Sequence, residues 1–472
     1  MSTPESIPLD AVVSFSVIAV MLGIDPPVLI SELYQSQLNP EVDAPNVPVS
    51  GALRFSNFRG MSIQAVQVLS GILQGSGTDL KYTVVGQTAR TASISMGTAN
   101  HSAVIKDGAV WVWGLNNYGQ LGNGISTTLQ SDPASISSNG SLAGKTIVAI
   151  GMSSDHTIAL DSTGGVHSWG RIARGVIGNG TTGGTQFAAP SLTSSYGTLV
   201  GKTITAIACY HDYNLALDNT GGVHAWGTNN NGCLGDGTTA VRSTPISIAS
   251  SGSLAGVTVV AIACGQAFSV ALDSTGSIHS WGLNNYGQLG DGLTAVRTIP
   301  YSIGSPGSLA GKTVVAIELG QSHVLALDNT GGVHAWGNGG GYQLGNNTYF
   351  SSGVPLSINS FGSLAGKTIV AIACGNNHNL VLDSTGGVHG WGGNSSGQLG
   401  DNSTTARKVP VSTSSYGSLV GKTVVSIASG QTHSIAVDSD GVFHSWGAGF
   451  HGRLGTGTTA QSKVPVSIGT LA

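Results

Sequence analysis

The sequence predicts an all-β protein: a seven-bladed β-propeller with four-stranded antiparallel blades over residues 91–472, preceded by a small N-terminal extension. Three observations carry this prediction. A Trp-Gly pair recurs at Trp113, Trp169, Trp226, Trp281, Trp336, Trp391 and Trp446, at intervals of 56, 57, 55, 55, 55 and 55 residues, and a fixed period of this length marks a repeat architecture. Each period holds short apolar, β-branched runs separated by turn residues, the pattern of successive strands. Finally, hydrophobic residues make up 40% of the chain, charged residues 8%, and there are 72 glycines. About 25% charged is usual in globular chains, so this composition favours a large core and many tight turns.

Residues 258–303 show one repeat in order. "TVVAIAC" reads as a buried inner strand. "FSVALD" follows a Gly-Gln-Ala turn, and "SIHSWG" follows Ser-Thr-Gly. "NNYGQLGDG" is a glycine-rich loop, and "IPYSI" is a last strand with proline near its start, placed outermost because a missing N–H costs least at an edge. "GSLAGKT" then links one blade to the next.

These residues resemble the RCC1 family, whose repeat carries a His after the inner strand, a G-x-V-x-x-W-G strand and an N-x-x-G-Q-L-G loop. The chain shows "GLNNYGQLGNG" at 114–124, "GLNNYGQLGDG" at 282–292 and "GGNSSGQLGDN" at 392–402, with "GRIARGVIGNG" at 170–180 departing most. The resemblance implies a seven-bladed propeller, in agreement with the count of tryptophans.

Most residues that look chemical repeat with the blades and read as structure. Eleven of 13 histidines fall in two sets: His101, His156, His323, His378 and His433, replaced by Tyr213 and Phe268, and His167, His224, His279, His334, His389 and His444, replaced by Trp111. A metal ligand is not exchanged for Phe, and no metal or cofactor is expected. Asp161, Asp218, Asp273, Asp328, Asp383 and Asp438 precede Thr-Gly or Asp-Gly turns and fit Asx-type turns, in which the carboxylate accepts from backbone N–H groups. Cys209, Cys264 and Cys374 share one strand position, which argues against a disulfide framework. "GSLAGKT" has three residues where a phosphate-binding loop needs four. No catalytic nucleophile–base–orienter set is apparent, so an enzyme is not expected. A net charge of −4 without basic runs gives no footprint for nucleic acid. The apolar stretch 11–24 is too short to cross a membrane, and the acidic residues before it do not suit a secretory signal.

The first ninety residues differ in texture and divide into an anchor-like segment, 1–62, and a connector, 63–90. "VPVSGALRFSNFRG" at 47–60 resembles a short module of phage and large DNA virus tail and virion proteins; Val47, Pro48, Phe55, Phe58 and Arg59 are its candidate assembly anchor. The resemblance implies a non-enzymatic virion- or tail-associated component that displays the propeller, with other virion proteins or a host surface receptor as partners. A cellular RCC1-type interaction scaffold is the second reading, and guanine-nucleotide exchange a remote third. For a scaffold, the loops at 238–245, 293–300 and 404–410 place Arg242, Arg297, Arg407 and Lys408 at equivalent positions as candidate partner contacts, unless they serve only to hydrate a charge-poor surface. Six residues break the repeat pattern and are the places to look for specific chemistry: Arg171, Arg174, His211, Glu318, Tyr342 and His451.

Overall fold

The computed structural model describes residues 101–469, except 127, 128 and 185, together with the backbone of five short strands before them. Contacts divide the chain into two units, 1–89 and 90–472. In the first, Ser6–Ile7 pairs antiparallel with Leu53–Arg54, and Leu73–Gln74 with Lys81–Tyr82. The side chains of the proposed anchor, Val47 to Arg59, lie outside the described residues.

The second unit is seven four-stranded antiparallel sheets, each with its strands in sequence order. Blade one is built from Ser93–Ser95, His101–Lys106, Ala109–Leu115 and Leu129–Ser135. Blade four is Val259–Gly265, Phe268–Asp273, Ile278–Gly282 and Arg297–Gly304. Blades two, three, five, six and seven span 147–192, 204–247, 314–357, 369–412 and 424–469. In blades two to seven every residue of the second strand is buried. A blade has neighbours on both faces, so neither set of alternating side chains meets water, and the strand is apolar or hydrogen-bonded throughout. The fourth strand lies at the rim and is mostly partly exposed or exposed. Its proline stands mid-strand, not near the start as the sequence suggests. Pro190, Pro245, Pro300, Pro355, Pro410 and Pro465 are buried there, with their carbonyls under the first glycine of the preceding linker. At Gly140 (φ +51°) a Cβ would lie 2.2 Å from the Pro190 oxygen, so the linker position admits no side chain.

Neighbouring blades share a repeated seam. Each tryptophan donates its indole N–H to a carbonyl in the third-to-fourth loop of the preceding blade. The pairs are Trp169 to Gln120, Trp226 to Val176, Trp281 to Cys233, Trp336 to Gln288, Trp391 to Gln343 and Trp446 to Gln398, at 2.8–3.1 Å. Trp113 donates in the same way to Arg453 at 2.8 Å. Blade one therefore joins blade seven by the bond used everywhere else, and the ring closes without exchange of a strand.

Because successive strands are antiparallel, the first-to-second turn and the third-to-fourth loop emerge at one end of every blade, the loop face. The second-to-third turn and the linker emerge at the other, the linker face.

Candidate binding face

The linker face holds a polar network that the sequence reading missed. In blades two to seven the repeated Asp accepts at Oδ1 from the backbone two and four residues on, as Asp161 does from Thr163 and Gly165 (2.8 and 2.9 Å), which is the expected turn. Its Oδ2 accepts from the second-set histidine at 3.0–3.1 Å. The Nδ1 of that ring lies 2.7–2.8 Å from the linker hydroxyl of Ser141, Thr198, Ser253, Ser308, Ser363 or Ser418. The linker lysines at 145, 202, 312, 367 and 422 reach the same carboxylates at 2.9–3.7 Å. These donors hold Asp161, Asp218, Asp328 and Asp383 well below the usual carboxylate range, against the opposing cost of burial.

Nucleophile, imidazole and carboxylate are thus assembled in six copies, contrary to the expectation that no such set exists. The arrangement is a fastener. The ring is buried, it recurs in every blade but the first, and none of these hydroxyls lines the channel or the groove described below. Blade one loses both partners together, with Lys106 in the Asp position and Trp111 in the His position. The signal was present in the sequence as fixed offsets between Ser, Asp and His.

The first histidine set joins blades to one another. His101 donates from Nε2 to Thr157, His378 to Ser434 and His433 to Ser102, at 2.9–3.0 Å; His156 donates to Asn214 and His323 to Asn379, both at 2.7 Å. Each acceptor passes a hydrogen of its own to the loop carbonyl that also receives the tryptophan, as Thr157 does to Gln120 and Asn379 to Gln343. The direction of these bonds fixes the proton on Nε2. Nδ1 of His101, His323, His378 and His433 has no partner. Burial accordingly pushes His101 and His378 down to about 3 and His323 to about 4, so the rings are neutral.

On the loop face, Arg242, Arg297 and Arg407 each turn inward. Their Nε atoms lie 2.7, 2.8 and 2.6 Å from Asp236, Asp291 and Asp401 of the same loop. These three arginines brace their loops. Lys408 is exposed, with its ammonium 5.4 Å from the centre of the Tyr342 ring.

The central channel encloses about 190 Å³ and is lined by inner strands, including Cys209, Cys264, Cys374, Tyr210 and Glu318. All four cysteines of the chain are free thiols. Glu318 faces the channel. Its surface is accessible there but hemmed in by the surrounding strands, and the withheld hydration pushes its carboxyl up to about 7. Tyr210 of blade three donates across the channel to Asn376 of blade six at 3.0 Å.

Three of the six pattern-breaking residues gather elsewhere, on the loop face of blades two and three. Arg171 pairs with Asp155 at 2.9 Å, Arg174 with Asp212 at 2.8 Å, and His211 donates from Nδ1 to Asp212 at 3.1 Å. That carboxylate bond keeps His211 protonated to higher pH than an ordinary imidazole, while Asp212 is held low. Arg174 and His211 open onto a groove of about 400 Å³ that runs past Thr228, Asn230 and Asn231 to Gln266, Ala267, Asn285, Tyr286 and Ser322. Tyr342 and His451 stand on other blades.

The profile of the RCC1-like domain matches residues 71–414 and, in a second placement, 195–472. The chain belongs to the RCC1-like family. The ultraviolet-B receptor UVR8 of Arabidopsis thaliana is 29% identical over 380 residues, covering 80% of this chain and 82% of the receptor. The E3 ubiquitin-protein ligase HERC2 of Homo sapiens is 32% identical over 347 residues, 73% of this chain but 7% of the ligase. Among solved structures, human WBSCR16 superposes with a TM-score of 0.67 at 22% identity, over 76% of this chain and 94% of that one. Yeast RCC1 (Prp20), solved bound to Kap60, gives 0.66 at 22% identity, over 82% and 85%. At that identity the two structures establish the fold of this RCC1-like chain.

Proposed function

We propose that this RCC1-like propeller is a non-enzymatic protein-interaction scaffold that takes its partner on the loop face of blades two to five. The observation that carries the reading is the concentration there of what the repeats do not share. Most of the polar groups described above recur from blade to blade in seams, linkers and loops, whereas Asp155, Arg171, Arg174, His211 and Asp212 form a charged cluster beside the groove that the repeats do not share. Loops on a rigid scaffold are where recognition concentrates. The family supports a binding role: yeast RCC1 has been solved with Kap60, and its binding to Gsp1p and histones has been described.

The virion reading, placed first from sequence, rests on residues 47–60, and the family match begins at residue 71. The named relatives come from a plant and from humans. They favour the cellular scaffold, placed second. Residence on a particle is still testable by fractionation, in which a chain sedimenting with virions would restore the first reading.

Cross-linking of the full chain in extract of its source cells, followed by mass spectrometry, tests the proposal. Partner cross-links are expected at the loop face of blades two to five. A map centred on the linker face or on the outer strands would overturn it.

A further inference from the structure

The groove suggests what kind of ligand the loop face takes. Its wall offers three features that a ligand can use. First, it offers side-chain amides from neighbouring loops, Asn230 and Asn231 of blade three and Asn285 of blade four, beside Gln266, whose oxygen already accepts from Gln321 at 2.9 Å. An amide carries both a donor and an acceptor pair, the complement of a peptide unit. Second, Tyr286 stands 45% exposed at its edge, a rigid aromatic of the kind that anchors interfaces. Third, one end is charged: Arg174 and His211 are half exposed, and both bond to the single oxygen Oδ2 of Asp212, itself 8% exposed. Asp212 therefore orients two donors whose remaining N–H groups are free to meet an anion. Arginine has five such donors in a planar fork suited to carboxylate and phosphate.

The backbone supports the same assignment. Arg174, His211 and Ala267 all line this groove in the left-handed region, at φ +66°, +48° and +60°. Non-glycine residues held there cost free energy, and three of the eight among the described residues line this groove.

We propose that this groove binds an extended peptide segment and fixes its register by seating one anionic side chain, carboxylate or phosphate, on Arg174 and His211. The assignment rests on the loop-face reading above and adds the ligand class.

A random-peptide display library selected against the full chain tests it. Selected peptides are expected to share an acidic residue at one position. Labelled synthetic copies of the selected sequence, carrying Glu, phosphoserine or Gln at that position, are then titrated by fluorescence polarisation against wild type, Arg174→Gln and Arg174→Lys. The Gln peptide should bind wild type about tenfold more weakly than the Glu peptide, the worth of one charge-assisted hydrogen bond. Arg174→Gln should bind the Glu and Gln peptides alike, and Arg174→Lys should recover part of the difference. Whichever of Glu and phosphoserine binds more tightly identifies the source of the anion. A second variant, Asn285→Ala with Tyr286→Ala at exposed positions, should weaken all three peptides together.

Three results would overturn the proposal: selected peptides without an acidic residue, a Glu-over-Gln preference that persists in Arg174→Gln, or no selected peptide at all. None of these touches the broader reading, which fails separately if partner cross-links avoid the loop face.

Discussion

Phe268 occupies a position where five other blades carry His and one carries Tyr, and it has no polar atom to offer. Across the blade boundary from it stands Val324, where the other boundaries place Ser, Thr or Asn, and both pack in one buried cluster. The chain has thus changed donor and acceptor together at a single seam, because a buried polar atom without its partner costs about 1–3 kcal/mol. The expected outcome is a double-mutant cycle of the same sign. Phe268→His and Val324→Asn should each destabilise by about 1–3 kcal/mol, and the pair should recover much of that loss. Urea unfolding of the four proteins measures it, and strictly additive losses would show that the ring-to-amide bond does not form at this seam.

At the scale of the element, the Gln-Leu-Gly loop is shaped by the tryptophan of the next blade. Gly290 has φ +80°, and a Cβ there would lie 2.8 Å from the Trp336 nitrogen. Gly292, two residues on, has φ +76° but nothing nearer than 3.8 Å. Backbone strain is common to both, while the collision belongs to one. Gly292→Ala should therefore cost about 1 kcal/mol, and Gly290→Ala a further ~1–3 kcal/mol for displacing the indole. Equal losses in thermal or urea unfolding would mean that the glycine is kept for its backbone alone.

The propeller closes with a seam made like the others, which leads to a prediction about the ring. Trp113→Phe at the junction of blades one and seven and Trp281→Phe within the ring each delete one indole bond, and in both cases the carbonyl keeps a seam hydroxyl, Ser102 or Ser269. The two should lower stability by amounts within about 1 kcal/mol of each other, since the same bond is lost. A much larger loss at Trp113 would make the junction a special clasp.

The histidine relay also gives the ring an acid limit. His101, His323 and His378 are held neutral, with folded values of about 3, 4 and 3, while in the unfolded chain they return to about 6.5. Below pH 6.5 the unfolded state binds more protons, so stability is lost as pH falls from about 6.5 toward 4. Each such histidine contributes a slope of up to about 1.4 kcal/mol per pH unit. The depressed linker-face aspartates add their loss only below their ordinary value near 3.9. Replacing His323 with Phe and Asn379 with Val copies the apolar seam of blades four and five, and should flatten the profile between pH 4 and 6.5 by one histidine's share. Urea midpoints across that range measure it; an unchanged slope would show that His323 charges freely in the fold.

Blade count, strand order and the Asp turns were legible in the sequence because each depends on residues close together or on a strict period. The face cluster was half legible: Arg171, Arg174 and His211 stood out as departures from the repeat, but their partners Asp155 and Asp212 did not, and nothing in one dimension showed that the loops of blades two to five would share a groove. Arg242, Arg297 and Arg407 stood out as equivalent loop positions, candidate contacts or hydrating residues, but the aspartate six residues before each, which it pairs with while staying partly exposed, was not picked out. The linker motif was recognised as a connector, yet its Ser and Lys complete a His–Asp pair in the following blade, a contact made 26 residues away at the hydroxyl.

The sequence by itself determined a propeller of seven near-identical blades, since a repeated strand pattern cannot bury its apolar faces except against copies of itself. Only the tertiary structure decided which polar residues are consumed in holding blade to blade and which stand on the loop face outside those seams. That choice depends on pairs such as Ser102 with His433, 331 residues apart in sequence, which meet only when the ring has closed.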